Sequence, residues 1–150
     1  MQLHNASAAF ATSPARASFA DTIERLAPYV LSILRIVAGL LFLEHGLSRL
    51  LGFPSPLPTP PVFTLYWFAG AIELLGGVLV TLGLFTRPAA FIMSGEMAFA
   101  YFLSHAPRGF FPILNSGDGA ILYCFIFLYL AIAGGGPLSL DALLWRKRST

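Results

Sequence analysis

The chain has 150 residues, of which 57% are hydrophobic and only 11% charged, and its mean hydropathy is +0.76. Soluble domains carry about a quarter charged residues to wet their surface, so a soluble globular enzyme and a disordered chain are both excluded. Nine basic against seven acidic residues is too small an excess to point to nucleic acid. The lone cysteine, Cys124, provides neither a disulfide nor a paired thiol motif for a metal or redox site. The composition is that of a protein embedded in a lipid bilayer.

Residues 1–28 are rich in Ala and Ser and lack the apolar core of a signal peptide. They read as a flexible tail, with a short interfacial helix over Phe19–Pro28. Its acids, Asp21 and Glu24, argue against an organellar transit peptide. A spanning helix needs roughly 20 apolar residues, and the first such stretch is Tyr29–Leu51. Gly52–Pro61 then holds five prolines and cannot be helical. The second span is Val62–Phe85, and Thr86-Arg87-Pro88 forms a tight turn into the third, Pro88–His105. A loop over 106–119 leads to a short fourth span, Gly119–Gly134, closed by Gly134-Gly135-Gly136-Pro137. There is no internal repeat. The expected fold is an all-α membrane protein, an antiparallel four-transmembrane-helix bundle over residues 29–145 with a basic tail at 146–150.

Four spans put both termini on one side of the membrane. Arg16, Arg25, Arg87, Arg146, Lys147 and Arg148 fall on that side, against Arg49 and Arg108 on the other. The positive-inside rule therefore predicts cytoplasmic termini in a multi-pass inner-membrane protein.

Ionisable groups inside a span cost about 2.5–3.5 kcal/mol at the bilayer centre and mark functional sites. Six stand out here: Arg35, Glu44, His45, Glu73, Glu96 and His105. At about 100° per residue, Arg35, Ala38, Gly39, Phe42, His45, Gly46 and Arg49 share an arc of about 120° that should face the bundle interior. Glu44 lies nearly opposite Arg35, towards lipid or a second subunit. Gly70, Glu73 and Gly77 share a face on the second span, where small residues let helices approach closely. A network of Arg35, Glu73 and Glu96 that only fixes helix register is the structural alternative to a functional site. Haem ligation by His45 and His105 is weighed and set aside, and no metal site is expected. Asp118 reads as the N-cap of the fourth helix, and Cys124 as a packing residue.

Several stretches together carry a family resemblance. Leu34-Arg35-Ile36 with Gly39-Leu40-Leu41-Phe42-Leu43-Glu44-His45-Gly46 and Arg49 is one. Gly70-Ala71-Ile72-Glu73-Leu74-Leu75-Gly76-Gly77, followed by Leu82 to Ala90, is the second. His105, Gly109-Phe110-Phe111-Pro112, Asn115-Ser116-Gly117-Asp118 and Leu138-Ser139-Leu140-Asp141 complete the set. In this order, over about residues 30–145, they resemble the DoxX family, with Asp118 standing where the family pattern often carries Glu. The resemblance implies a small four-helix inner-membrane protein. Some relatives look like membrane subunits of quinone-linked oxidoreductases, such as thiosulfate:quinone oxidoreductase, and others are tied to redox and thiol stress.

Three functions follow as expectations. The first is a membrane subunit that binds a quinone and passes it electrons and protons from a soluble redox partner. Quinone reduction takes up protons at the carbonyl oxygens and needs titratable groups in an apolar pocket. The second is a scaffold that recruits a soluble redox enzyme, and the third is a small transporter or proton pathway built as a homo-oligomer. His45, His105 and Asp118 lie towards the outer surface and Glu73 and Glu96 deeper, which predicts a polar cavity ending at two glutamates.

Overall fold

The computed structural model describes residues 14–55 and 59–148, with side chains resolved over 19–55 and 59–144. Its first helix, α1 (Pro14–Leu51), is a single run of 38 residues. Residues 1–13 of the expected tail lie outside the described residues. Phe19–Pro28 is the beginning of α1 and not a separate interfacial helix. Pro28 sits on an exposed side of the helix, where the backbone bond it forfeits is tolerated, and its carbonyl accepts from Ser32 Oγ at 3.1 Å.

Helix α2 (Leu65–Leu82) starts where Thr64 Oγ1 accepts from the Trp67 amide and stops at Gly83, whose φ of 68° is left-handed. Three residues later α3 (Thr86–Ala100) begins, so the expected turn falls on Gly83–Phe85, just before Thr86-Arg87-Pro88. The α3 rod continues through a π turn (Tyr101–His105) and a short 3-10 turn (Ala106–Arg108). A single-turn helix α4 (Pro112–Asn115) then precedes α5 (Asp118–Ala133) and the terminal α6 (Leu140–Arg148). Gly117 is the N-cap residue of α5 and Asp118 its first helical residue, a correction to the capping role expected of Asp118. All described regular structure is helical.

The helices pack antiparallel in pairs. Gly39 lies against Thr81, Leu43 against Gly77, Gly46 against Leu74 and Leu50 against Gly70, so α1 and α2 run in opposite directions in strict register. Glycine is required at this seam: a Cβ on Gly77 would lie 2.7 Å from Leu43 Cα. In the same way Arg87 meets Ala131, Ser94 meets Cys124 and His105 meets Asn115, which sets α3 antiparallel to α5. The pairs join through Met93 on Gly76 and through the core rings, with Phe42 edge-on to Phe127 at a centroid distance of 4.9 Å. Phe42, Val80, Ala90, Met93, Phe127 and Leu130 form the buried centre. Two helices, Phe19–Leu51 and Leu65–Leu82, are long and apolar enough to cross a membrane, and Asp118–Ala133 is a shorter apolar helix. Large apolar side chains such as Phe91, Phe102, Phe125 and Ile132 point away from the protein, as lipid contact requires.

Candidate functional site

Arg35 defines one end of the molecule. It is fully buried, and its guanidinium donates to the carbonyls of Gly135 (2.9 Å), Thr81 (2.6 Å), Leu138 (2.6 Å) and Val80. Ser32 Oγ bonds the same returning segment, accepting from the Leu138 amide at 3.3 Å. From that segment Asp141 reaches across and accepts from the first amides of α3, Phe85 and Thr86, at 2.8 Å each. This corrects the expected network of Arg35, Glu73 and Glu96. Arg35 meets neither glutamate and instead ties the 134–141 segment to α1 and α2.

The other end is open. A cavity of about 390 Å³ lies among the C-terminal turns of α1, the start of α2, the end of α3 with its π turn, and the start of α5. Four of the expected site residues line it: His45, Glu73, Glu96 and His105. Three do not. Arg35 lies at the far end, Glu44 is exposed on the outer side of α1, and Asp118 is exposed in the first turn of α5.

Glu73 is buried at the cavity, with a side chain only 3% exposed, and it forms a bidentate pair with Arg49 at 2.9 and 3.0 Å. The glycines make this possible: Gly46 brings α1 onto the backbone at Glu73–Leu74, and Gly70 leaves room for the Arg49 stem. Fork-to-fork geometry of this kind holds both groups in fixed orientation. Arg49 was not singled out in the sequence, although its place on the inward arc, four residues after His45, was the available signal. Tyr66, Arg108 and Tyr123 also line the cavity and carried no signal of their own.

Glu96 differs from Glu73. Its Oε2 is buried with no hydrogen-bond partner among the described residues, a costly arrangement for a polar atom in a protein interior. The two histidines are oriented alike. His45 Nδ1 lies 2.8 Å from the Leu41 carbonyl and His105 Nδ1 3.0 Å from that of Asn115. A carbonyl only accepts, so Nδ1 carries the proton in both rings and Nε2 is the nitrogen left to a ligand. Asn115 shapes the wall beside His105, donating to the Gly109 carbonyl and accepting from the Gly117 amide, each at 2.8 Å. The π turn is the kind of local widening that re-aims side chains at functional sites, and here it carries Ser104 and His105 into the cavity. The remaining walls are apolar and aromatic, including Phe42, Leu65, Met97 and Phe99. No group of three or more potential metal ligands occurs among the described residues.

Apolar spanning helices around a buried ion pair and a polar-ended cavity define a helical integral membrane protein. The chain belongs to the DoxX family, whose sequence pattern matches residues 30–106. It is 43% identical over 136 residues to an uncharacterised protein of Haemophilus influenzae, covering 85% of this chain and 99% of that one. It is 29% identical to Putative oxidoreductase CatD of Bacillus subtilis, over 77% of this chain and 87% of CatD. It is also 29% identical to inner membrane protein YphA of Escherichia coli, over 76% of this chain and 89% of YphA. No solved structure matches the chain.

Proposed function

We propose that this chain is the quinone-binding membrane subunit of an oxidoreductase, with the head group in the cavity between Glu96 and the Arg49–Glu73 pair. The single observation that carries this reading is the cavity's composition: apolar and aromatic walls, with a buried carboxyl oxygen that no group among the described residues satisfies. An isoprenoid quinone has matching chemistry, a hydrophobic body and two carbonyl oxygens that need donors. Reduction adds two electrons and two protons to give the quinol. The electrons come from a soluble redox partner or a bound cofactor, because the single thiol, Cys124, cannot form a dithiol to carry them. Glu96 gives a proton to the nearer oxygen and is reprotonated from the histidines at the mouth. The second proton reaches the other oxygen by the same histidine route, and Arg49, fixed by Glu73, donates a hydrogen bond. The designation of the relative CatD as an oxidoreductase supports this class of chemistry.

In this reading four segments span the membrane. The α3 rod with its π turn, Thr86–His105, and α5 join the two longer spans, and the distribution of basic residues supports cytoplasmic termini. The cavity then opens at the outer surface of the inner membrane. Purification in mild detergent, followed by lipid extraction and quantification of quinone per folded protein, tests the assignment. Wild type should retain quinone and Glu96→Gln should lose most of it without loss of fold. Equal quinone content in both, or none in wild type after reconstitution with ubiquinone or menaquinone, would sink the proposal.

A further inference from the structure

Helix α1 uses its inward arc on α2, yet a second regular stripe runs along its opposite face. Phe19, Ile23, Leu26 and Val30 follow one another at alternating intervals of four and three residues, and Ile33, Val37 and Leu40 continue the same rhythm. These side chains are between 48% and 70% exposed. Within the membrane such exposure means only lipid. The informative part is the N-terminal stretch. Between Phe19 and Pro28 every large apolar residue falls on the stripe, while Asp21, Glu24, Arg25 and Pro28 all fall off it.

Length places that stretch outside the hydrocarbon. The 33 residues from Phe19 to Leu51 rise about 50 Å at 1.5 Å each, against a hydrocarbon core of about 30 Å. The helix is unbroken from Pro14, so its first turns cannot fold down onto the bilayer and must stand clear of it. An apolar stripe on a projecting helix needs a cover, and no described part of this chain supplies one.

We infer that the cover is a second copy of this chain, paired through α1 as a parallel two-stranded coiled coil that runs from the aqueous phase into the membrane. The residue types fit this occupant. Ile23, Val30 and Val37 take the a positions, and Leu26 and Leu40 take d positions beside Phe19 and Ile33. β-branched a with leucine d is the combination that favours two parallel strands. The surface is also self-complementary about a two-fold axis, as a dimer of identical chains requires. The next a position is Glu44, which forms no hydrogen bond or ion pair among the described residues and is exposed. At the seam it faces its own copy, and a lone polar a residue fixes register at a cost in stability. Arg35, Phe42 and Arg49 lie at f positions on the far side, so pairing leaves the cavity intact. The inference stands independently of the quinone assignment.

Cysteine cross-linking in native membranes tests it on the full chain. In a Cys124→Ala background, single cysteines at positions 23, 26 and 30 would be compared after mild oxidation with cysteines at 24 and 25. All five positions lie outside the protein's own core, so folding is not at issue. Disulfide-linked dimer should form several-fold more at the three seam positions than at the two flanking ones. Equal yields at all five, or none at the seam, would overturn the proposal. Seam cysteines that react with a bilayer-partitioned maleimide but never with each other would assign the stripe to lipid and overturn it too. Mass measurement in mild detergent gives a second readout: wild type should be a dimer, and Ile23→Asp combined with Leu26→Asp a monomer. A monomeric wild type overturns the pairing.

Discussion

Arg35 and Arg49 stand on the same face of α1, fourteen residues apart, and the protein uses them in opposite ways. Arg35 is fully buried and meets only main-chain carbonyls, whereas Arg49 is 30% exposed and grips a single carboxylate. A buried guanidinium that directs four of its five N–H groups at carbonyls has little capacity left for a ligand. It is a lock, and what it locks is the glycine-rich return that lets Asp141 cap α3. At the opposite end the charges outnumber their protein partners. Arg49 and Glu73 pair through two bonds that leave Arg49 N–H groups to spare, and Glu96 Oε2 has no partner among the described residues. Each histidine bonds the protein through Nδ1, and all share a cavity. Buried charge alone therefore does not mark a site. The distinguishing feature is whether protein groups exhaust its hydrogen-bonding capacity.

The comparison predicts its largest effect at Arg35. Arg35→Ala strands several buried carbonyls at once and removes a charge-assisted set, which should cost about 4 kcal/mol or more. The check is thermal unfolding in detergent together with membrane yield. Arg35→Lys should recover little, because a compact ammonium cannot reach carbonyls that a planar fork spans. If either variant unfolded like wild type, the distinction between the two ends would fail.

At the open end the order of effects reverses. Glu73→Gln keeps an oxygen for Arg49 but loses one charge-assisted bond, and Arg49 can turn to water, so stability should fall by about 1–2 kcal/mol. Bound quinone should fall much further, read as quinone per folded protein. Glu96→Gln should leave stability within about 0.5 kcal/mol of wild type, because no protein partner is lost. A Glu96→Gln protein that melts well below wild type would mean the carboxyl serves the fold and not a ligand.

A smaller effect sharpens the locked end. Asp141→Asn removes the carboxylate that caps two α3 amides, which should cost about 1 kcal/mol. Ligand content should not change, since Asp141 is remote from the cavity.

The sequence made some of this legible and hid the rest for definable reasons. Helical periodicity placed Phe42, Gly46 and Arg49 on the inward arc correctly, because one helix obeys one period. The same arithmetic put Glu44 outward, as the structure does. What periodicity cannot supply is the offset between helices. Arg35 was paired with Glu73 because both are buried ions of opposite sign. The antiparallel register sets Leu74 beside Gly46, and so moves Glu73 one helical half away from Arg35. The true partners of Arg35 are carbonyls at the end of α2 and in a loop one hundred residues later, and main-chain acceptors leave no mark in a sequence. The short helix expected over Phe19–Pro28 and the span expected from Tyr29 are one helix for a different reason: a proline on the exposed side of a long helix forfeits one bond and need not stop it.

The smallest expected effect falls on Asp118, which separates proximity to the cavity from membership in it. It occupies the first turn of α5, one residue before Gly119, which does line the cavity, yet its own side chain is exposed and outside. Its carboxylate therefore acts only on the helix dipole, where an exposed anion contributes about 0.3–1 kcal/mol at low salt and less as salt rises. Asp118→Asn should lower stability by no more than that, and the difference should shrink further in high salt. Quinone content should match wild type, in contrast to Glu96→Gln on the neighbouring wall. Loss of ligand in Asp118→Asn at unchanged stability would extend the site out to the start of α5. The cavity boundary drawn at Ser116, Gly119 and Tyr123 would then have to move outward.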